Sequence, residues 1–300
     1  MKKLLISVCI CTYKRKDLLA RLLDSLIDQK IDERFSFDVV IIDNDKYRTG
    51  EDVVRQFQIH TNVKVTYDCE PEQNISRARN RAVKDAPGDL IAFIDDDETP
   101  DPRWLWMLFD THRKFQVDGV LGPVIPVYDG IPPKWLIESG LCNRDSFPTG
   151  TILDSSKFMR TGNVLFSRHI IKELETPFDP ELGLTGGEDV DFFKRMLNKG
   201  NTFIWCDEAA VFEFVPKERQ RIVYHVKRAL LRGLTNSRRE YLVSKETLKS
   251  VAAVMSYTFC LPILMVVSRP LFLIYLIKNC DHLGKLLGYL GIKLIKKRSF

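Results

Sequence analysis

The chain has 300 residues, 45% hydrophobic and 28% charged, with a formal net charge of +5. That length allows one large domain or two modest ones, and the composition is that of an ordinary globular chain with a sizeable core. Its seven cysteines are odd in number and contain no CxxC pair, which argues against a disulfide framework or a zinc site and fits a reduced, cytosol-facing protein.

The start, Met1-Lys2-Lys3-Leu4-Leu5-Ile6-Ser7-Val8, has a faint likeness to a secretion leader. Its apolar run is too short for one and soon meets Lys14-Arg15-Lys16. Residues 4–11 are apolar and β-branched, as expected of a strand covered on both faces. Cys9 and Cys11 lie on that strand, and metal binding there is not expected. A polar turn follows over residues 12–17. Then Leu18, Leu19, Leu22, Leu23, Leu26 and Ile27 recur at helical spacing. Residues 37–42 read as a second buried strand ending in Asp43-Asn44-Asp45, residues 52–57 as a short helix, and residues 63–67 as a third strand. Residues 75–86 read as a basic helix carrying Arg77, Arg79 and Arg81, and residues 90–94 as a strand that runs into Asp95-Asp96-Asp97.

Three adjacent carboxylates repel one another, and desolvating them without a counter-ion is costly. A divalent cation relieves both problems. Mg²⁺ and Mn²⁺ prefer carboxylate oxygen and commonly bring phosphates with them. The other reading is an acidic turn that caps the next helix. The strand–helix alternation predicts an α/β fold with a doubly wound, mostly parallel sheet, which binds ligands beyond the carboxyl ends of its strands. The turns at residues 12–15, 43–45 and 95–97 all fall at such ends, and that convergence favours a functional role for the triple Asp. Neither GxGxxG nor GxxxxGK[ST] follows the first strand, which argues against a dinucleotide-dependent dehydrogenase and a P-loop NTPase.

Pro100-Asp101-Pro102 opens a helix that runs to about Phe115, and residues 119–127 read as a strand. Residues 128–150, rich in Pro, Gly and aromatics, read as a loop region near the site. Thr161-Gly162-Asn163 is a turn entering a strand. Gly186-Gly187 leads into Glu188-Asp189-Val190-Asp191, an acidic helix start favoured by the helix dipole. Short strands are expected at residues 201–205 and 209–214. Packing is the expected role of Trp104 and Trp135.

From Lys217 onward cations dominate: Arg219, Arg221, Lys227, Arg228, Arg232, Arg238 and Arg239, then Lys293, Lys296, Lys297 and Arg298. Residues 219–233 read as a basic amphipathic helix. Residues 251–267 are apolar, interrupted by Pro262, and at roughly 17 residues lie at the short limit for a spanning helix. With residues 271–277 they suggest a broken helix or a re-entrant hairpin, the alternative being a helical bundle or dimer interface. A basic tail suits nucleic acid, an anionic substrate or an anionic membrane surface, and the adjoining apolar run favours the membrane over nucleic acid. The expected division is a catalytic domain over residues 1–216 and a helical membrane-attachment extension over residues 217–300.

The order of motifs resembles the family 2 inverting glycosyltransferases with the GT-A fold, and more narrowly bacterial enzymes of exopolysaccharide and lipopolysaccharide assembly. The resemblance spans about residues 4–235. It is carried by Ser7-Val8-Cys9-Ile10-Cys11-Thr12-Tyr13-Lys14-Arg15, Ile41-Ile42-Asp43-Asn44, Ala78-Arg79-Asn80, Phe93-Ile94-Asp95-Asp96-Asp97, Pro102-Arg103-Trp104-Leu105, Thr161-Gly162-Asn163 and Gly187-Glu188-Asp189-Val190-Asp191-Phe192. Each motif is weak alone; the set in this order is specific. The resemblance implies that Thr12, Arg15 and Asp43 hold the nucleotide base and ribose, and that Arg79 approaches the nucleotide or its phosphates. It places Asp95 by the ribose and gives Asp97 a Mg²⁺ or Mn²⁺ ion. On an extended segment Asp95 and Asp97 face one way and Asp96 the other, so Asp96 receives no role. Asp189 is implied as the general base, with Glu188 beside it raising its pKa by repulsion. The implied partners are a nucleotide-diphosphate sugar donor, a lipid-linked glycan or glycolipid acceptor and an anionic membrane on its cytoplasmic side, with no nucleic acid.

One departure stands out. Phe214 occupies a place where relatives carry a His as a further metal or phosphate contact; Glu213 is a candidate substitute and Arg219 a candidate phosphate contact. The residues alone leave other readings open: Asp43 as a strand-ending acid, Arg79 as a solvated cation, Asp189 as a helix-capping acid with Glu188 or Asp191 as the base. At the level of the whole chain, a nucleotidyltransferase or an inactive nucleotide-sugar-binding membrane protein are the alternatives.

Overall fold

The computed structural model describes residues 3–237, 245–290 and 292. Met1, Lys2 and the cations Arg238, Arg239, Lys293, Lys296, Lys297 and Arg298 lie outside the described residues. The chain divides into two compact units: Met1–Ile125 with Arg144–Glu213, and Pro126–Asn143 with Phe214–Ser299.

The first half alternates as its sequence dictates: β1 (Leu4–Thr12), α1 (Lys16–Ile27), β2 (Phe35–Asp43), α2 (Glu51–His60), β3 (Val65–Cys69), α3 (Ile75–Asp85) and β4 (Leu90–Ile94). There follow β5 (Glu98–Pro100), α4 (Trp104–Phe115), β6 (Gly119–Leu121), β7 (Val124–Tyr128), α5 (Lys134–Ser139), β8 (Asn163–Ser167), α6 (Glu188–Asn198), β9 (Phe203–Trp205) and β10 (Val211–Val215). The main sheet has seven strands in the order β3-β2-β1-β4-β8-β6-β9. It is mostly parallel; β8 alone runs antiparallel, between β4 and β6.

Strand periodicity sorts the core into two layers. Ile6, Val8 and Ile10 of β1 face α1 and α4 through Leu19, Leu22, Leu26, Trp104 and Leu108. Cys9 of β1 faces the opposite side, where Val40, Ile42, Ile91 and Phe93 pack with Ala78 and Ala82 of α3 and Phe192 and Met196 of α6. With both faces covered, a parallel sheet exposes only its strand ends to ligands. The register aligns those ends: Thr12 pairs with Asp43, and Asp43 with Cys69.

Three expectations need correction. Residues 119–127 are two strands, because Pro123 has no N–H for a ladder and a Cβ on Gly122 would strike the Ala209 carbonyl; β7 belongs instead to a three-stranded sheet, β5-β10-β7. The expected loop over residues 128–150 contains α5. Pro262 does not interrupt its helix: α8 runs unbroken from Lys245 to Val267.

The second unit is largely helical, with α7 (Ile222–Ser237), α8 (Lys245–Val267) and α9 (Arg269–Tyr289). The backbones of α7 and α9 meet where Cβ atoms would collide, Gly233 against the Asp281 carbonyl and Gly284 against that of Leu230. Arg232 and Asp281 pair beside them at 2.6 Å. After Ser268 the chain reverses, and α9 lies antiparallel on α8, with His282 on Ser250, Asn279 on Thr258 and the Tyr275 ring on Tyr257.

Candidate active site

The site is built at the carboxyl ends of β1, β2 and β4. Past Ile94 the chain leaves the extended form and turns through residues 95–97, closed by the Glu98 N–H on the Asp95 carbonyl at 3.1 Å. Alternation therefore fails just where the sequence argument relied on it, and Asp96 is brought into the site. Thr12 Oγ1 donates to Asp96 Oδ2 at 2.8 Å, and Arg15 Nη1 donates to Asp96 Oδ1 at 2.9 Å and to Asp97 Oδ2 at 3.3 Å. Burial pushes the Asp96 carboxyl up to about 6, with the Arg15 guanidinium opposing the shift. Asp96 is thus the residue that ties β1 to the acidic turn. Lys14, Arg15, Lys16, Asp17, Leu18 and Thr49 line an open depression of about 580 Å³ at the Arg15 side chain, whose three cations against one carboxylate suit an anionic ligand.

Asp43 is fully buried and already well served: it accepts from the N–H groups of Asp45 (3.0 Å) and Gly50 (2.8 Å) and from the Tyr67 hydroxyl (2.9 Å). It secures the turn into α2, and none of these partners belongs to the acidic turn.

Arg79, on α3, joins two distant acidic motifs. Its Nη1 donates to Glu188 Oε1 at 2.5 Å, and its Nη2 lies 3.6 Å from Asp95 Oδ1. Burial works against its charge, but Glu188, Asp95 and Asp189 together hold its pKa above the usual value. Arg79 is 7% exposed and Glu188 6%, so this is a buried ion pair rather than a solvated helix cation. The other Glu188 oxygen, Oε2, is buried and makes no hydrogen bond.

Asp189 sits at the start of α6, reached through Gly186 and Gly187, both with φ near +90° (89° and 88°). Its Oδ1 accepts from the Val190 N–H at 2.8 Å, and its Oδ2 is 3.8 Å from Arg160 Nε. Arg195 turns away from it, onto Asp191 and the Pro177 carbonyl. Arg219 lies in the second unit, in a 3₁₀ turn over Lys217–Gln220.

Around this lies a frame that the sequence hinted at only as motifs. Asn163 is saturated: its Oδ1 accepts from Trp104 Nε1 at 2.8 Å and its Nδ2 donates to the carbonyls of Pro123 and Ala209. Trp104 is accordingly core. A Cβ on Gly162 would lie 2.7 Å from Glu98 Oε1 and 3.0 Å from Asp95 Oδ2, so a larger residue here would have to push these two carboxylates aside. Glu98 accepts the Asp95 N–H at 3.0 Å through Oε2, while its buried Oε1 has no hydrogen-bond partner. Burial, then Asp95, raises its pKa well above the usual range. Glu213 is engaged by Arg144 at 2.5 Å.

Among the described residues, no three His, Cys, Asp or Glu side chains are grouped to enclose a metal ion. The donor chemistry present, carboxylates of one turn with a buried, unpartnered Glu98 oxygen next to them, fits the other common arrangement. There a hard cation takes one or two carboxylates and completes its shell with phosphate and water.

Residues 7–174 match Glycosyl transferase family 2. The chain is 31% identical over 305 residues to the succinoglycan biosynthesis protein ExoM of Rhizobium meliloti (strain 1021), covering 97% of this chain and 95% of the relative. It is 23% identical to the hyaluronan synthase of Pasteurella multocida, over 72% of this chain but 25% of that larger protein. Among solved structures, residues 1–349 of TarS from S. aureus, in complex with UDP, superpose with a TM-score of 0.56 at 18% identity, covering 98% of this chain and 93% of that one. GalNAc-T7 with UDP, GalNAc and Mn²⁺ superposes with a TM-score of 0.57 at 14% identity, covering 77% and 48%. The mostly parallel sheet, its covering helices and the helical carboxyl-terminal extension are those of a GT-A glycosyltransferase of polysaccharide biosynthesis. The chain belongs to glycosyl transferase family 2.

Proposed function

We propose that this glycosyltransferase moves a sugar, with inversion, from a nucleotide-diphosphate donor to a hydroxyl of a lipid-linked glycan during surface polysaccharide assembly. The observation that carries the proposal is the Arg79 bridge. It holds the acidic turn after β4 and the amino end of α6 in one site, so that groups able to handle donor and acceptor lie side by side.

In this reading the basic depression at Arg15 receives the donor, and Thr12 and Arg15 fix the Asp96 side of the acidic turn. Asp97 would hold Mg²⁺ or Mn²⁺, whose chemistry is to neutralise the charge that develops on the departing diphosphate, with Asp95 beside the donor. Asp189 removes the proton from the acceptor hydroxyl, and a single base with in-line attack gives inversion at the anomeric carbon. Glu188, committed to Arg79, acts as its counter-ion and leaves the base role to Asp189. The succinoglycan relative and the UDP complex of a structural neighbour support the polysaccharide and nucleotide assignments. The apolar α8 supports attachment to a membrane, which this reading places on the cytoplasmic side.

A thermal-shift screen of nucleotide sugars, with and without Mn²⁺, tests the donor. A ligand that binds only the folded state stabilises it by RT ln(1 + [L]/Kd), about 2.7 kcal/mol at 100 times Kd. A selective, Mn²⁺-dependent shift that disappears in Asp97→Ala supports the reading; no shift with any nucleotide sugar overturns it.

A further inference from the structure

α8 is the one helix among the described residues long and apolar enough to cross a membrane, and its most apolar stretch is only 6% buried. Its inner side is covered by α9, through Ser250, Thr258 and Tyr257. Its outer side carries Leu248 (73% exposed), Met255 (69%), Phe259 (79%), Ile263 (58%) and Val266 (88%). With Ala252, also exposed, these residues fall within about 40° of one line along the helix at 100° per residue. They form a single apolar stripe about 27 Å long.

The charges decide how such a stripe meets lipid. Between Lys249 and Lys278 the only charged residue is Arg269, at the turn of the hairpin. If the hairpin crossed the bilayer, Lys278 would sit about 13 Å back from the far side, in mid-bilayer, with Asp281 close behind. If only its tip entered, Arg269 would lie at the centre. Both placements bury a charge in hydrocarbon, which is costly. Laid flat, the hairpin buries no charge. The stripe faces the acyl chains, Lys245, Lys249 and Arg269 stand at its ends at headgroup level, and Lys278, Asp281 and Lys285 lie on α9, away from the stripe, where α7 packs on it and Arg232 pairs with Asp281. An in-plane helix ordinarily has a polar face of its own; here the side of α8 away from the stripe is instead covered by α9, with α7 packed beyond it.

We infer that the α8–α9 hairpin lies in the plane of an anionic bilayer, with the stripe from Leu248 to Val266 sunk into the headgroup–acyl boundary. The inference rests on the membrane reading and sharpens it from attachment to orientation.

The test uses the full chain with vesicles of anionic and zwitterionic phospholipid. Sedimentation should recover the chain with the anionic vesicles. Phe259→Glu with Ile263→Glu, both exposed and so compatible with folding, should weaken that binding at least tenfold while thermal unfolding is unchanged. On bound protein, a water-soluble maleimide with peptide mapping should label Arg269→Cys at the rate seen in solution and leave Met255→Cys protected. Protection of Arg269→Cys overturns the in-plane orientation and leaves attachment standing. Failure of the wild-type chain to bind either vesicle, or loss of self-association rather than of vesicle binding in the double variant, overturns attachment as well. Transfer to a soluble acceptor, measured in parallel, reads the catalytic reading separately.

Discussion

Replacing Glu188 by alanine strips the buried Arg79 of its closest counter-ion. The two side chains are 9% and 8% exposed and lie 2.5 Å apart. Removing one partner of a buried pair typically costs about 3–5 kcal/mol, since the survivor is left charged and desolvated. Asp95, 3.6 Å from Arg79 but 43% exposed at its side chain, compensates in part, so the lower end of that range is expected. Urea denaturation reads the loss directly, and a cycle of Arg79→Ala, Glu188→Ala and the double variant isolates the coupling. Glu188→Gln is the sharper probe. It keeps an acceptor for Arg79 at almost the same shape, so it should retain a substantial part of turnover, whereas Asp189→Asn should abolish turnover and leave donor binding intact. If Glu188→Gln is as dead as Asp189→Asn while Glu188→Ala unfolds no more easily than wild type, the counter-ion role is wrong and Glu188 is the better candidate for the base.

Gly162→Ala introduces a methyl 2.7 Å from Glu98 Oε1 and 3.0 Å from Asp95 Oδ2. It should displace the acidic turn and lower kcat/KM at least tenfold; unchanged kinetics would show that the loop has room to yield. Arg15→Lys keeps the charge but loses the planar fork that reaches both Asp96 and Asp97. Donor affinity, read by thermal shift, should fall several-fold. His112 gives a pH signature remote from catalysis. Its Nε2 meets Ser167 Oγ at 2.8 Å, and burial, then Arg113, pulls its pKa down to about 4. The unfolded chain therefore binds the proton first, and stability from this group is full above about pH 6.5 and lost as pH falls towards 4, by up to about 3 kcal/mol. His112→Gln should remove that part of the acid sensitivity, and an unchanged pH profile would contradict it.

Much of this arrangement could be read in the sequence, for identifiable reasons. A doubly covered parallel sheet writes itself as unbroken apolar runs, and β1, β2 and β4 end where their polar turns begin. What was not legible falls into two kinds. One is local: strand alternation set Asp96 aside, but the chain turns after Ile94 and makes Asp96 the partner of Thr12 and Arg15. The break of residues 119–127 into two strands has a local signal in Gly122-Pro123, where the ladder N–H is missing. The other is long-range: Arg79 and Glu188 lie 109 positions apart, and Asn163 reaches Trp104, Pro123 and Ala209, so no spacing rule reveals these contacts. For α8 the composition announced an apolar helix; its orientation follows only from where α9 returns and which side it covers.

The most direct test of inverting transfer at this site is the anomeric configuration of the product, followed by proton NMR with the donor that the thermal-shift screen selects. The wild-type chain should give a product of inverted configuration, and Asp189→Asn should give none while still binding donor. Retention of configuration, or continued turnover by Asp189→Asn, would contradict it.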